Sequence, residues 1–272
     1  MLSSLFKFER LCPALLVAAL SMTVGAETLR ISGTGDSLGA MNLLAEAYMR
    51  HSPERKIMVL PSVGSSGAIK GVLRQRLEIG ITSGPLKPEY REKGLQDFRY
   101  GGTPTVIVVR PEQGIKALSR QQLADLYAGR TSTWPGGKPV RPIMRRLNES
   151  NVEKVMSLSP ALHDALKIAA QRDGLPYANT DQEMADLTER TPGAIGISTL
   201  ALVLSEKRHL VPLAIDKVEP TPESAAKGLY PIAKQHYLIV REHASDEVMR
   251  FVKFVRSEEG QTILRANGYW IP

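Results

Sequence analysis

The chain has 272 residues, 43% hydrophobic and 6% aromatic, with 35 Lys and Arg against 28 Asp and Glu for a formal charge of +7. That apolar fraction is ordinary for a globular core and excludes a fibrous or wholly disordered chain, and the length allows two modest domains or one large one. The basic balance favours anionic partners, but the cations are scattered and the aromatics few, which excludes a stacking platform for nucleic acid.

At the amino end Lys7 and Arg10 precede the run LCPALLVAALSM, which is too short to span a bilayer and reads as a secretory leader. Val24 and Ala26 give the small-residue spacing of a signal peptidase site, so residues 1–26 are expected to be removed. The single cysteine, Cys12, lies in this leader behind Glu9, Arg10 and Leu11, a context that does not fit a lipoprotein acceptor. A mature chain without thiols can form no disulfide, thiolate metal site or cysteine nucleophile, which suits an oxidising compartment. A soluble periplasmic protein is the expectation.

Short β-type runs then alternate with amphipathic helical ones. TLRIS is followed by Leu38, Met41, Leu44, Ala45 and Tyr48 at helical spacing, then KIMVLPS, a helix from Ser66, and EIGITS. This is the rhythm of a parallel sheet flanked by helices. A long extended segment, GGTPTVIVVRPE, follows. Helix starts are then expected at Ser119 with Gln122, Ser150 with Glu153, Thr180 with Glu183, and Thr221 with Pro222, with strand-like PIMRR, AIGIS and HLVPLAI between them. A second long β run, YPIAKQHYLIVRE, leads into closing helices near 245–256 and 258–267. The two long runs set off a middle block, which predicts an α/β chain of two lobes. One lobe is 27–104 plus 236–272 and the other 105–235, joined by two hinge crossovers around a ligand cleft.

In open parallel sheets ligands sit at the carboxyl ends of strands. Three such places resemble one another here: SGTGDSLG after the first strand, SVGSSGA after the second and ITSGPL after the third. Each supplies hydroxyls and glycine-freed amides, and amides at a helix start favour an anion. The alternative is that these residues serve only as caps and turns. From the middle block, Arg145 and Arg146 precede the helix at Ser150, as a guanidinium fork for an oxyanion or as a solvated pair beside a capping box.

Gly35-Asp36-Ser37-Leu38 also reproduces the nucleophile block of GDSL-type esterases, an alternative reading with Ser37 as nucleophile. That chemistry needs an Asp-x-x-His near the carboxyl end, and none of the five histidines has an aspartate three residues before it. The glycine spacing of GTGDSLG departs from the dinucleotide fingerprint, and the histidines lack metal-ligand spacing, so neither cofactor nor metal is expected.

VGSSGAIKGVL, IGITSGPL, LADLYAGRTSTW, RTPGAIGIS and YPIAKQHYLIV, in this order, resemble the periplasmic phosphate-binding proteins of ABC transporters, members of the two-lobed (type II) solute-binding family. The resemblance spans the mature chain. It implies a monomeric, non-enzymatic receptor with a phosphate-like oxyanion ligand and an ABC permease as partner. The implied contacts are Ser37 and Leu38 in the first loop, Ser65 in the second, Arg146, and Ser150, Asn151 and Val152 at the facing helix, with Arg145 alongside. Three departures bear on specificity. Ser83 stands where the family carries an aspartate that accepts the ligand's proton. Ser150-Asn151-Val152 replaces Ser-Gly-Thr. Asp36 is an unusual acid in the first loop, turned inward as a substitute acceptor or outward toward the helix dipole. Phosphate is the first expectation, with sulfate or another oxyanion open. A sensory or surface role on the same fold is the further alternative.

Overall fold

The structure, a computed structural model, describes residues 28–272; the expected leader, with Cys12, lies outside the described residues. Strand β1 (Thr28–Gly33) is the first element of the described residues, followed through a one-turn 3-10 segment (Gly35–Ser37) by α1 (Leu38–His51). Next come β2 (Lys56–Val59), α2 (Gly64–Leu73), β3 (Ile79–Thr82), the short α3 (Pro88–Arg91) and the long β4 (Leu95–Val109). The middle block holds β5 (Ala117–Leu118), α4 (Arg120–Ala128), β6 (Arg141–Pro142), α5 (Ser150–Met156), α6 (Pro160–Ala170) and α7 (Asp181–Arg190). It continues through β7 (Ala194–Thr199), α8 (Leu200–Ser205), β8 (Val211–Pro212), β9 (Ala214–Ile215) and α9 (Pro222–Ala226). The return strand β10 (Ala233–Arg241) leads to α10 (Asp246–Val255) and α11 (Glu258–Ala266).

The main sheet runs β2-β1-β3-β10-β4-β7-β6, with β8 paired to β4 and a separate β5-β9 pair. β1 pairs in parallel with β2 and β3, whereas β10 is antiparallel to both β3 and β4, so the sheet is mixed. β4 is the connecting element: its first part pairs with β10, and residues Thr105 to Val109 pair with β7. Two apolar cores lie along it. One gathers Ile31, Met41, Leu44, Ile79, Ile81 and Leu238 under α10 residues Phe251 and Val252. The other gathers Ile107, Leu123, Tyr127, Leu162, Leu166 and Ile195. Each fully buried side chain of this size contributes about 1.5–3 kcal/mol, so the paired cores fix where the loops between them sit.

Several helix starts are secured by the side chains expected from the sequence. Ser119 and Gln122 exchange both bonds of a capping box, Thr180 accepts from the Glu183 amide, and Thr221 caps α9 ahead of Pro222. α5 departs from expectation: the cap is Glu149, whose carboxylate accepts from the amides of Asn151 and Val152, and Ser150 is the first helical residue. The longer glutamate side chain folds back so that one oxygen, Oε2, accepts from both amides, while Oε1 takes the Ser150 hydroxyl, which therefore acts as a donor and not as the cap. The first loop is pressed onto β3. A Cβ on Gly33 would lie 2.1 Å from the Ile81 carbonyl oxygen, so only glycine permits the approach that lets the Thr34 amide donate to that oxygen at 3.1 Å. Among the described residues no helix is long and apolar enough to cross a membrane.

Candidate anion-binding cleft

The loops after β1 and β2 meet the segments before α5 and α7 across a cleft of about 610 Å³. Thr34, Ser65 and Ser66 line it on one side, and Arg146, Ser150 and Asp181 on the other. The second loop is locked to the first, with Ser32 Oγ donating to the Pro61 carbonyl at 2.7 Å and Ser62 Oγ to the Gly33 carbonyl at 2.9 Å. α2 begins beyond Val63, a residue with no side chain able to cap it, and although Ser62 Oγ accepts from the Gly64 amide at 3.4 Å, no side chain among the described residues takes the amides that follow it in the first turn.

Beneath the cleft floor lies a buried charge cluster centred on Asp36. The 3-10 turn directs this side chain inward, where it is fully buried. Its Oδ2 lies 2.6 Å from Lys234 Nζ, and its Oδ1 accepts from Thr34 Oγ1 at 2.7 Å. His236 Nε2 stands 3.3 Å from Oδ1, close enough for charge interaction but poorly aligned for a hydrogen bond. Burial alone would raise the Asp36 carboxyl, but the Lys234 ammonium and the His236 ring together hold it well below the usual carboxylate range. Lys234 also donates to Ser150 Oγ and Asn151 Oδ1, both at 2.9 Å. Burial works against its charge, and Asp36, Glu149 and Asp181 more than offset this, so the ammonium is held above its ordinary range.

A second buried pair adjoins the first. Arg145 Nη1 lies 2.5 Å from Asp181 Oδ1 and 3.5 Å from Glu149 Oε2, and Asn151 Nδ2 donates to Asp181 Oδ1 at 3.0 Å. Burial, followed by the Asp36 charge, pushes Asp181 up to about 6 despite Arg145. Asp36, Glu149 and Asp181 therefore share the two buried cations Lys234 and Arg145.

The structure brings together Asp36, Arg145, Ser150 and Asn151 in this cluster, with Ser65 and Arg146 at the cleft above it. Ser65 Oγ accepts from the Ser83 amide at 3.1 Å, and Ser83 Oγ donates to Thr34 Oγ1 at 3.0 Å. Ser83 is thus one hydroxyl removed from Asp36. The Arg146 guanidinium is exposed and engages no other side chain among the described residues. The Val152 amide is taken up by Glu149 at 3.3 Å. Ser37 and Leu38 point elsewhere. The Leu38 amide, the group expected to meet the ligand, donates to the Gly35 carbonyl while its side chain packs into the core, and Ser37 Oγ is buried against the hydroxyls of Tyr100 and, at 3.0 Å, Tyr269. Burial raises both phenols, which keeps them protonated. No histidine touches Ser37 among the described residues; His236 Nδ1 reaches only the Tyr269 hydroxyl, at 3.2 Å. The serine has neither the base nor the access that a nucleophile requires.

Thr34, Glu149, Asp181, Lys234 and His236 were not singled out from the sequence. Two of them left a trace there: in YPIAKQHYLIV, Lys234 and His236 are two residues apart on a strand, hence on one face, amid apolar neighbours. A lysine on a buried face calls for a charged partner. Glu149 and Asp181 left none, because acids before a helix are ordinary at the surface.

A family model described as "PBP superfamily domain" matches residues 21–259. The curated phosphate-binding protein PstS of Bacillus subtilis (strain 168) is 24% identical over 249 residues, covering 90% of this chain and 80% of that protein. PstS 2 of Streptococcus pneumoniae is 32% identical over 106 residues, 39% of this chain and 36% of its own length. A Clostridium perfringens structure assigned to phosphate ABC transport and solved with bound phosphate superposes with a TM-score of 0.74 at 21% identity, over 90% of this chain and all of that one. An ABC-type phosphate transport receptor from Vibrio cholerae gives 0.61, also at 21% identity and over 90% of this chain and 100% of that one. At such identities the superpositions speak for the fold, and with the family match over most of its length the chain belongs to the PBP superfamily.

Proposed function

We propose that this chain is an exported solute receptor that captures an inorganic oxyanion, phosphate first among them, and delivers it to an ABC-type permease of the inner membrane. One observation carries the reading: the unpaired Arg146 guanidinium stands across the cleft from the amino end of α2, where Ser65 and Ser66 add hydroxyls. A guanidinium fork opposite helix amides suits a tetrahedral oxyanion and needs no metal. The relatives named for phosphate binding support the same ligand class. The lobes, 27–104 plus 236–272 and 105–235, act as a monomeric clamp turning on β4 and β10, and an anion touching both shifts the population toward the closed form. No catalytic step is assigned to it. Native mass spectrometry of the mature protein, exchanged against phosphate, sulfate and arsenate, tests the reading. A single retained oxyanion per chain supports it, and no retention of any of the three contradicts it.

A further inference from the structure

Every anion-recognising group beneath the cleft already holds an anion, and that anion belongs to the chain. Lys234 from β10, Thr34 from the first loop and Asn151 from α5 all direct donors at Asp36, at 2.6, 2.7 and 3.5 Å, and His236 adds its ring at 3.3 Å. The shell is drawn from three separate stretches of sequence, encloses a group with no exposure, and contains one permanent cation. A free oxyanion would require these same partners: an ammonium, a hydroxyl, an amide and an imidazole around a point shielded from water. We infer that Asp36 is a specificity-determining residue that fills an oxyanion cavity with its own carboxylate, thereby barring small inorganic anions from the inner position and confining ligands to the outer cleft at Arg146. The filling is read from the geometry alone; only its consequence for ligand choice rests on the proposed receptor role.

The alternative, that Asp36 merely neutralises a structural lysine, differs in one respect. Removing the acid opens a carboxylate-sized void beside Lys234 in either case, but only a filled ligand cavity then takes up a free oxyanion more tightly than the wild type does. Asp181 is held instead by Arg145 and Asn151, both of which donate to its Oδ1.

The test is chemical rescue. In Asp36→Ala the cavity is vacant and Lys234 loses the carboxylate in direct contact with it. Melting of this variant in chloride is expected to fall below wild type and to recover on adding acetate or inorganic phosphate at constant ionic strength. Calorimetry is expected to show phosphate bound at least about tenfold more tightly than by wild type, a gain lost in the Asp36→Ala, Lys234→Met double variant. If Asp36→Ala does not fold in chloride, refolding with phosphate or acetate replaces the melt: recovery supports the inference and no recovery overturns it. A folded Asp36→Ala with phosphate affinity no better than wild type also overturns it. The two proposals fail separately. Wild type that binds no oxyanion beside an Asp36→Ala that does would remove the receptor reading and keep this one. Wild type that binds phosphate beside an Asp36→Ala that gains nothing would remove this one alone.

Discussion

Asp36 Oδ2 and Lys234 Nζ stand 2.6 Å apart with side-chain exposures of 0% and 2%, joining the loop after the first strand to a strand that enters some two hundred residues later. The pair ties the beginning of one core to the crossover that leads back from the other. Taking both charges out of water is costly, and the hydrogen bonds from Thr34 and to Ser150 and Asn151 offset that cost.

Removing one partner should therefore cost more than removing both. Lys234→Met leaves the Asp36 carboxylate buried without its cation and is expected to lower unfolding stability by about 3–5 kcal/mol. Adding Asp36→Ala should recover part of that loss. Urea unfolding of the two single variants and the double closes the cycle, and strictly additive losses would mean that the pair is uncoupled.

The neighbouring carboxyls set opposite pH dependences. Asp36, held below 3.8, contributes stability that is present above that value and is lost as pH falls through its lower folded-state range. Asp181, raised from 3.8 to about 6, binds more proton folded than unfolded between those values, so its contribution to stability declines as pH rises across that window. Asp181→Asn should flatten the pH dependence of the urea midpoint between pH 4 and 6. An unchanged slope would remove Asp181 as its source. Because Asp181 also lines the cleft, affinity for sulfate, whose own charge is constant here, should rise as pH falls through about 6 and become pH-independent in the same variant.

Glu149 competes with any ligand for the start of α5. Its carboxylate accepts from the Asn151 and Val152 amides at 2.9 and 3.3 Å, so Glu149→Ala loses a cap worth about 1 kcal/mol. The same change frees both amides and removes a negative charge beside the cleft. Oxyanion affinity should increase while melting temperature falls. Parallel decreases in both would place the Glu149 contribution in holding the site together.

The alternation of strands and helices, the capped starts at Ser119, Thr180 and Thr221, and the two long β runs were legible because each rests on local chemistry: apolar period, capping side chains, extended β-branched segments. The clustering of Ser65, Arg146 and Ser150 followed from strand ends and helix starts, which point loops in predictable directions. What the sequence left open was the direction of single side chains. Asp36 could turn either way, and a one-turn 3-10 segment decides it, rotating Asp36 inward and Ser37 toward Tyr100 and Tyr269. The choice between Glu149 and Ser150 as the cap of α5 turned on reach, which spacing does not encode. The pairing of Asp36 with Lys234 is a long-range contact set by β10 lying between β3 and β4, an order of strands that no local pattern carries.

The most direct test of the receptor account is calorimetric titration of the mature protein with phosphate and sulfate, beside the Arg146→Ala variant. The account predicts saturable one-to-one binding of at least one of these anions, weakened by about tenfold or more without the guanidinium. Binding unaffected by the loss of Arg146, or no heat from either anion, would contradict it.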